Sequence, residues 1–417
     1  MSDFNKLWAG QTLSLLGSAV TAFALPSLAI LVLHATPIQI GALTALETLP
    51  FPVLGLFVGV LADRLPRRNI MIAADAVRFA ALASIPVAAA FGVLRLPQLY
   101  GVALASGVGS AFFGITYQSY VPVLVAANRL TDANMKLEFS NSGSTMAGSA
   151  AAGLLVQWIG AAAAIATDAI SYLVSIGTLL LIQKPEPAHQ GPPLSVRQYA
   201  LEMLEGLTIV FKSPDLRWIV GATATTNFGG AMVGAVSLIY AYRILHLQPG
   251  LMGVIYGFAE VGFVGALLSG RVRKVLGLRA TLMSSLSLGA IGLASMLFAR
   301  LGAPYAVLFV TSAIVAVSIP IYNVNQVSYR QALIDVRMQG RMNATIRTFV
   351  WGTLPLGAVV GGYLGTALGI PATIVAGAVV CAAATLWLIP MRERDPEPVV
   401  PHPRESGGVV DYINPGG

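Results

Sequence analysis

The sequence predicts an all-helical integral membrane protein, with twelve transmembrane helices in two six-helix halves related by pseudo-symmetry. Composition is the first reason. The 417 residues are 56% hydrophobic and 10% charged, against about 25% charged in soluble domains, so lipid must solvate most of the chain. Charge placement is the second. Of 25 Lys and Arg, 20 fall in segments assigned below to the cytoplasmic side, three near the outer ends (Arg95, Arg243, Arg300) and two within spans (Arg78, Arg347). That is the positive-inside pattern, and it accounts for the net charge of +7 without a nucleic-acid-binding stripe. Repetition is the third. At an offset of 209 residues Tyr120 meets Tyr329, Leu124 meets Leu333, Asn134 meets Asn343, Gly143 meets Gly352, Gly148 meets Gly357 and Gly153 meets Gly362, as expected of duplicated six-helix units.

Apolar segments run at about 7–33, 38–62, 69–93, 97–126, 133–159 and 161–183, then at 215–245, 248–272, 279–301, 303–331, 340–368 and 370–391. Each exceeds the roughly 20 residues that a helix needs to cross hydrocarbon. The first is too long for a signal-peptide core and is expected to stay as a helix. Twelve crossings put both termini in the cytoplasm, and outer links shrink to Gly160 and Gly369. The halves are therefore residues 1–183 and 215–391. The intervening 184–214 begins irregularly, with Lys184-Pro-Glu-Pro187 and Gly191-Pro-Pro193. Ser195 and Gln198 then form a capping pair, and Val196, Ala200, Met203, Leu207 and Val210 recur at helical spacing. This reads as an amphipathic helix on the inner membrane face, or simply as a linker between halves. Residues 392–417 are expected to be a disordered cytoplasmic tail. Cys381, the single cysteine, lies in the last span as a small buried apolar residue with no disulfide partner.

The shortest charged interruption between spans is Gly59-Val-Leu-Ala-Asp63-Arg64-Leu-Pro-Arg67-Arg68, whose arginines place it at the cytoplasmic surface. Gly59, Leu61, Ala62, Asp63, Arg64, Arg67 and Arg68 resemble the signature between helices 2 and 3 of the major facilitator superfamily. Pro66 replaces its usual second glycine and keeps a turn former. Asp75-Ala-Val-Arg78, with Gly340 to Arg347 and Trp351 to Gly357, resembles the drug–proton antiporter branch that includes macrolide-efflux and enterobactin-exporter-like proteins. The likeness covers nearly all of residues 4–391. It implies alternating access by rocking of the halves, a cavity lined by helices 1, 4, 7 and 10, and a latch role for the Asp63 loop.

The residues that could carry chemistry are few. None of the five lysines follows a glycine, which leaves no phosphate-binding loop for ATP, and the four histidines have no second metal ligand at suitable spacing. No enzyme activity, cofactor or metal is expected. A charge at mid-bilayer costs at least about 2.5 kcal/mol, so each one inside a span needs a reason. Glu47 and Glu260 lie near half depth in the two halves and read as proton carriers, or else as protonated carboxyls bonded to a neighbouring helix. Asp168 reads as a packing group, because its helix should lie at the periphery. Near the cytoplasmic face Asp75, Arg78, Glu138 and Arg347, with Gly59, Asp63, Arg64, Arg67 and Arg68, would form an ionic latch; static anchoring by the arginines is the plainer alternative. Ladders of small residues, Ser144, Gly148 and Ala152 in one span and Gly357, Gly361 and Gly365 in another, read as sliding contacts between the halves, although static packing needs the same residues.

The expected cavity offers Tyr117, Gln118, Asn227, Tyr240, Tyr322, Asn323, Asn325 and Gln326, with no Lys or Arg in the middle thirds of its spans. Anionic cargo would need a fixed cation there, so neutral or cationic amphiphiles are favoured. The expectation is a monomeric, multi-pass transporter of a bacterial inner membrane, exporting amphiphilic compounds in exchange for protons, with lipid and small molecules as its partners. Import, siderophore export, lipid transport and a transport-inactive receptor or scaffold remain the alternatives.

Overall fold

The computed structural model describes residues 2–62, 64–186, 207, 208, 210–259, 263–334 and 336–391, and every regular element among them is helical. Asp63, Glu260, most of the segment read as an amphipathic helix and the tail at 392–417 lie outside the described residues. The first half contains α1 (Asp3–Leu31), α2 (Pro37–Thr48), α3 (Pro50–Ala62), α4 (Arg67–Ala90), α5 (Leu96–Leu124), α6 (Leu130–Ile159) and α7 (Ala161–Leu180). The second contains α8 (Pro214–Ile239), α9 (Pro249–Ala259), α10 (Phe263–Leu276), α11 (Leu278–Ser295), α12 (Pro304–Leu333), α13 (Val336–Ala367) and α14 (Ile370–Ala383). Nine helices among the described residues are long and apolar enough to cross a membrane.

The span expected at 38–62 is divided at Leu49 into α2 and α3. Pro50 and Pro52 have no N–H to donate to the carbonyls of Leu46 and Thr48, so the hydrogen-bond ladder is interrupted there while Leu49 keeps helical angles. Similarly, α8 ends in a π-turn, Tyr240–Ile244, that widens the backbone before the chain reverses. Links between helices gather at two ends. One end holds Gly160, Gly369 and other short connections; the opposite end carries Arg64, Arg67, Arg68, Arg129, Arg273 and Lys274.

The arginine-rich end of the first half is tied by its own side chains. The Arg67 and Arg68 backbone N–H groups donate to the Glu186 carboxylate at 2.8 and 3.0 Å, so a residue beyond α7 caps α4. Arg67 Nε also donates to Ser119 Oγ on α5, and Arg68 to the Leu180 carbonyl. Asp3 accepts from the backbone N–H groups of Gln183 and Lys184 while pairing with Lys6 at 2.7 Å. In the second half Val210 packs into an apolar cluster with Leu216, Met342, Ile346 and Val350.

The seam between halves has two equivalent parts, α6 on α9 and α2 on α13. A Cβ on Gly153 would stand 2.7 Å from the Gly253 Cα, and one on Gly41 would stand 3.1 Å from the Gly362 Cα. Gly153 faces Pro249 and Gly253; Gly362, its repeat partner, faces Pro37 and Gly41. Glycine permits this backbone approach where hydrocarbon gives helices no hydrophobic reason to associate.

The small-residue ladders lie elsewhere, which corrects their reading as sliding contacts. Ser144 Oγ donates to the Thr12 carbonyl of α1 and Gly148 lies against Leu16 and Ala19, also of α1. Gly357 and Gly361 lie against Phe228 and Met232 of α8; Gly365 meets Val236 of α8 and also Pro37 of α2. The ladders therefore hold each half together, and the adjacent helix face makes the seam.

Gly253→Val should pry α9 from α6, since overpacking costs about 1–3 kcal/mol. An impermeant thiol reagent should label a cysteine at Ser149, beside Gly253, faster in that variant than in the parent; equal labelling would show that the seam tolerates a side chain.

Candidate functional site

At the short-link end the halves are joined by polar contacts as well as glycines. Ser27 Oγ of α1 and the Tyr242 hydroxyl of the π-turn lie 2.9 Å apart, and Arg243 Nη2 donates to the Ile30 carbonyl at 3.3 Å. The Gly250 N–H donates to Gln157 Oε1 at 2.9 Å, and the Ile38 N–H to Thr366 Oγ1 at 3.1 Å. Phe23 and Tyr256 meet edge to face at 5.8 Å. The π-turn is what carries Tyr242 and Arg243 onto α1. Nearer the other end, Trp351 of α13 packs edge-on to Phe51 of α3 at 5.4 Å, with the Arg347 guanidinium 4.2 Å above its ring. Gln118, Glu138, Asn323 and Arg347 are all exposed. The bundle is shut at the short-link end.

Two contiguous cavities of about 310 and 210 Å³ run along the second half and share Gly230, Leu293 and Val315. The larger is bounded by α8, α11, α12, α13 and α14 and lined by Thr223, Asn227, Ser285, Ser318, Tyr322 and Asn323 among apolar residues, with Cys381 at its wall. The smaller adds Ser237, Tyr256, Thr311 and Ser312. Among the described residues neither lining includes an Asp, Glu, Lys or Arg. The Tyr322 hydroxyl is fixed by Thr223 Oγ1 at 2.7 Å, and Asn227 Nδ2 donates to the Val350 carbonyl. A third, apolar pocket of about 470 Å³ lies between α3, α4 and α5 on the flank of the first half, with Asn69 as the single polar residue of its lining among the described residues.

Of the residues expected in the cavity, the structure brings together Asn227, Tyr322 and Asn323. Tyr240 does not belong with them: it is buried in the core at the end of α8, its hydroxyl directed at the Met296 and Leu297 carbonyls. Asn325 bonds back to the Ile321 carbonyl of its own helix, and Gln326 is buried beside it. Tyr117 stacks on Phe113 in the first half, while Gln118 is exposed.

The latch residues are scattered. Arg67 and Arg68 bond within the first half, as does Asp75, which pairs with Arg78 one helical turn away in its interior. Gly59 is half-buried on α3, Arg64 is exposed, and Glu138 and Arg347 lie on separate helices of opposite halves. Glu47 is half-buried on α2, two residues before Leu49, and its carbonyl lies against Gly107 of α5.

Asp168, read as a packing group on a peripheral helix, is buried as such a group would be. Although α7 packs only on its own half, the carboxyl is turned inward against Gly17 of α1 and accepts from Ser171 Oγ at 3.0 Å. Helix order placed it at the periphery, but the orientation of the side chain buries it. The one available signal was Gly17, which clears space on the neighbouring helix.

The sequence matches the transmembrane secretion effector family over residues 1–406. Macrolide efflux protein A of Streptococcus pyogenes is 24% identical over 378 residues, covering 88% of this chain and 90% of that protein. Multidrug efflux pump Tap of Mycobacterium tuberculosis is 28% identical over 412 residues, 92% of each. Among solved structures, a bacterial homologue of the iron transporter ferroportin in its inward-facing state superposes with a TM-score of 0.74 at 16% identity, covering 93% of this chain and 98% of that one.

Ser27→Ala and Tyr242→Phe remove the same contact at the closed end. Their coupling in a double-mutant cycle of unfolding should be about 0.6 kcal/mol and no more than about 1.7; strict additivity would mean that the two halves do not bear on each other there.

Proposed function

The chain belongs to the transmembrane secretion effector family of major facilitator transporters, and we propose that it exports neutral or cationic amphiphilic organic compounds from a bacterial cell in exchange for protons. The observation that carries this reading is the uncharged cavity of the second half. Its hydroxyls and amides can satisfy a few hydrogen bonds while its apolar walls bury the rest of a ligand, the usual composition of a small-molecule site. An anionic cargo would leave its charge unpaired there, with no guanidinium or ammonium among the described lining residues. The efflux-named relatives support the same direction of transport.

The arginine-rich end is taken as cytoplasmic by the positive-inside rule, with both termini on that side. The contacts at Ser27, Ile30, Gln157 and Thr366 then close the outer face, and cargo loads from within. Rocking of the halves over the Gly153–Gly253 and Gly41–Gly362 contacts exchanges access. One proton entering under 100 mV supplies about 2.3 kcal/mol toward the return stroke. Glu47 is a candidate to exchange it, as is Glu260, which lies outside the described residues. Glu138, Arg347 and the Asp63 loop are proposed to approach one another when the inner side closes. A single copy contains every part of this cycle.

Proteoliposomes loaded with a labelled macrolide test the reading directly. Counterflow should be accelerated by a proton gradient and abolished by a protonophore. Absence of flux would exclude transport, and flux indifferent to the gradient would exclude proton coupling. Asn323→Lys should lower export of a lipophilic cation at least tenfold and that of a neutral macrolide less. Like charges 4 Å apart repel by about 4 kcal/mol at an effective dielectric constant of 20, whereas equal losses for both cargoes would place the binding site elsewhere.

A further inference from the structure

Where α1, α4, α5 and α7 meet, the first half encloses two carboxyls and one guanidinium. Asp75 and Asp168 are both 0% exposed and Arg78 is 5% exposed. Arg78 pairs with Asp75 and is held between two rings, 4.6 Å from the Phe113 centroid and 4.3 Å from that of Tyr172. Gly109 of α5 leaves room for its stem. Asp168 Oδ1 accepts from Ser171 Oγ at 3.0 Å, and the Thr21 and Tyr172 hydroxyls also face the carboxyl; Asp168 Oδ2, Asp75 Oδ2 and Arg78 Nε have no partner of good geometry among the described residues. With both carboxyls ionised the cluster would carry one uncompensated negative charge in a region shut off from water. One proton makes it neutral, and Asp75 already holds the guanidinium.

We propose that Asp168 is a proton-binding site of the transport cycle, its Oδ2 taking up the proton that brings the cluster of Asp168 with the Asp75–Arg78 pair to neutrality. The proposal rests on the proton-coupled reading and names the group that carries the proton. Only a proton moves: an O–H bond forms at Oδ2 as one to water breaks, and no other bond changes. The charged and titratable groups facing Asp168 are Asp75 and Arg78 from α4, Tyr172 from its own helix and Glu47 from α2. From α1 come hydroxyls: Thr21, whose Oγ1 has no hydrogen-bond partner among the described residues, and Ser18, 2.9 Å from the Tyr172 hydroxyl. The titratable groups of α6, namely Asp132, Lys136 and Glu138, lie at its arginine-rich end.

The position couples the proton to the gate. A Cβ on Gly17 would stand 2.6 Å from Ser171 Oγ and 3.0 Å from the Asp168 Cα, so α1 rests directly on this site. The same helix carries Ser27 and Ile30, which hold the π-turn at the closed end. An ionised Asp168 competes with Asp75 for Arg78, and a protonated one does not. Changing that competition shifts the packing of α7 and α4 on α1.

Infrared difference spectra of the reconstituted full chain between acid and alkaline pH read the site without any cargo. The wild type should show the C=O band of a water-shielded carboxylic acid that titrates. Asp168→Asn should abolish it. Ser171→Ala, a mild change in case the first variant does not fold, should move it to higher frequency by removing the hydrogen bond to Oδ1. Glu47→Gln should leave it in place. A band that survives Asp168→Asn, stays put in Ser171→Ala or vanishes in Glu47→Gln would overturn Asp168 as carrier while leaving proton coupling intact. Absence of any such band from the wild type would overturn this proposal, whereas loss of gradient-driven counterflow is what would overturn proton coupling itself.

Discussion

Hydrocarbon solvates neither peptide groups nor charges, and the whole molecule follows from that constraint. With no water to bond, every backbone N–H and C=O in a span has to find its partner along the same helix. Hydroxyls obey the same rule: Ser27 donates to the Phe23 carbonyl, Thr223 to that of Ile219, Thr281 to that of Gly277 and Thr373 to that of Gly369. Helices so satisfied have little reason to attract one another across lipid. Close contact of backbones through glycine then supplies dispersion in place of hydrophobic association. The two halves meet where glycine faces glycine or a proline carbonyl, and the polar groups that parting would unpair are a few at the short-link end, such as Ser27 with Tyr242 and Gln157 with the Gly250 N–H.

Much of this was legible in the chain. Long apolar runs fixed where the helices lie, because hydrocarbon thickness sets their length, and repeated residues such as Gly153 and Gly362 do occupy matching places in the seam. What the sequence did not carry was direction around each helix axis. A ladder of small residues specifies that something comes close, but not which neighbour, so Gly148 and Gly357 were assigned to the wrong interface. Likewise, a polar residue in a lining helix faces the cavity only if its azimuth does: Tyr322 and Asn323 do, whereas Asn325 satisfies itself on the Ile321 carbonyl. Asp168 was read as a packing group from the position of its helix, which left open that its carboxyl faces Gly17 of α1. The division at Leu49 follows from Pro50 and Pro52, which a count of apolar residues overlooks.

The duplicated halves have come to differ in chemistry. In the described residues of the first, Asp75, Arg78 and Asp168 are enclosed between helices, while the second offers hydroxyls, amides and a thiol around an uncharged cavity. This separation has a physical rationale. A fixed charge beside a lipophilic ligand must be desolvated whenever cargo binds, whereas a charge cluster in the other half can change its proton count without disturbing the cavity wall. Communication between them then runs through α1, which touches Asp168 on one side and the π-turn of the second half on the other.

The account stands or falls on the halves moving as two bodies over the glycine seam, so that one end opens as the other closes. Distances between pairs of spin labels, one pair across Ser149 and Leu251 at the closed end and another across Glu138 and Lys274 at the arginine-rich end, measure this in proteoliposomes. On a change of pH that drives transport, the first distance should lengthen as the second shortens. Changes of the same sign at both ends, or none at either, would contradict it.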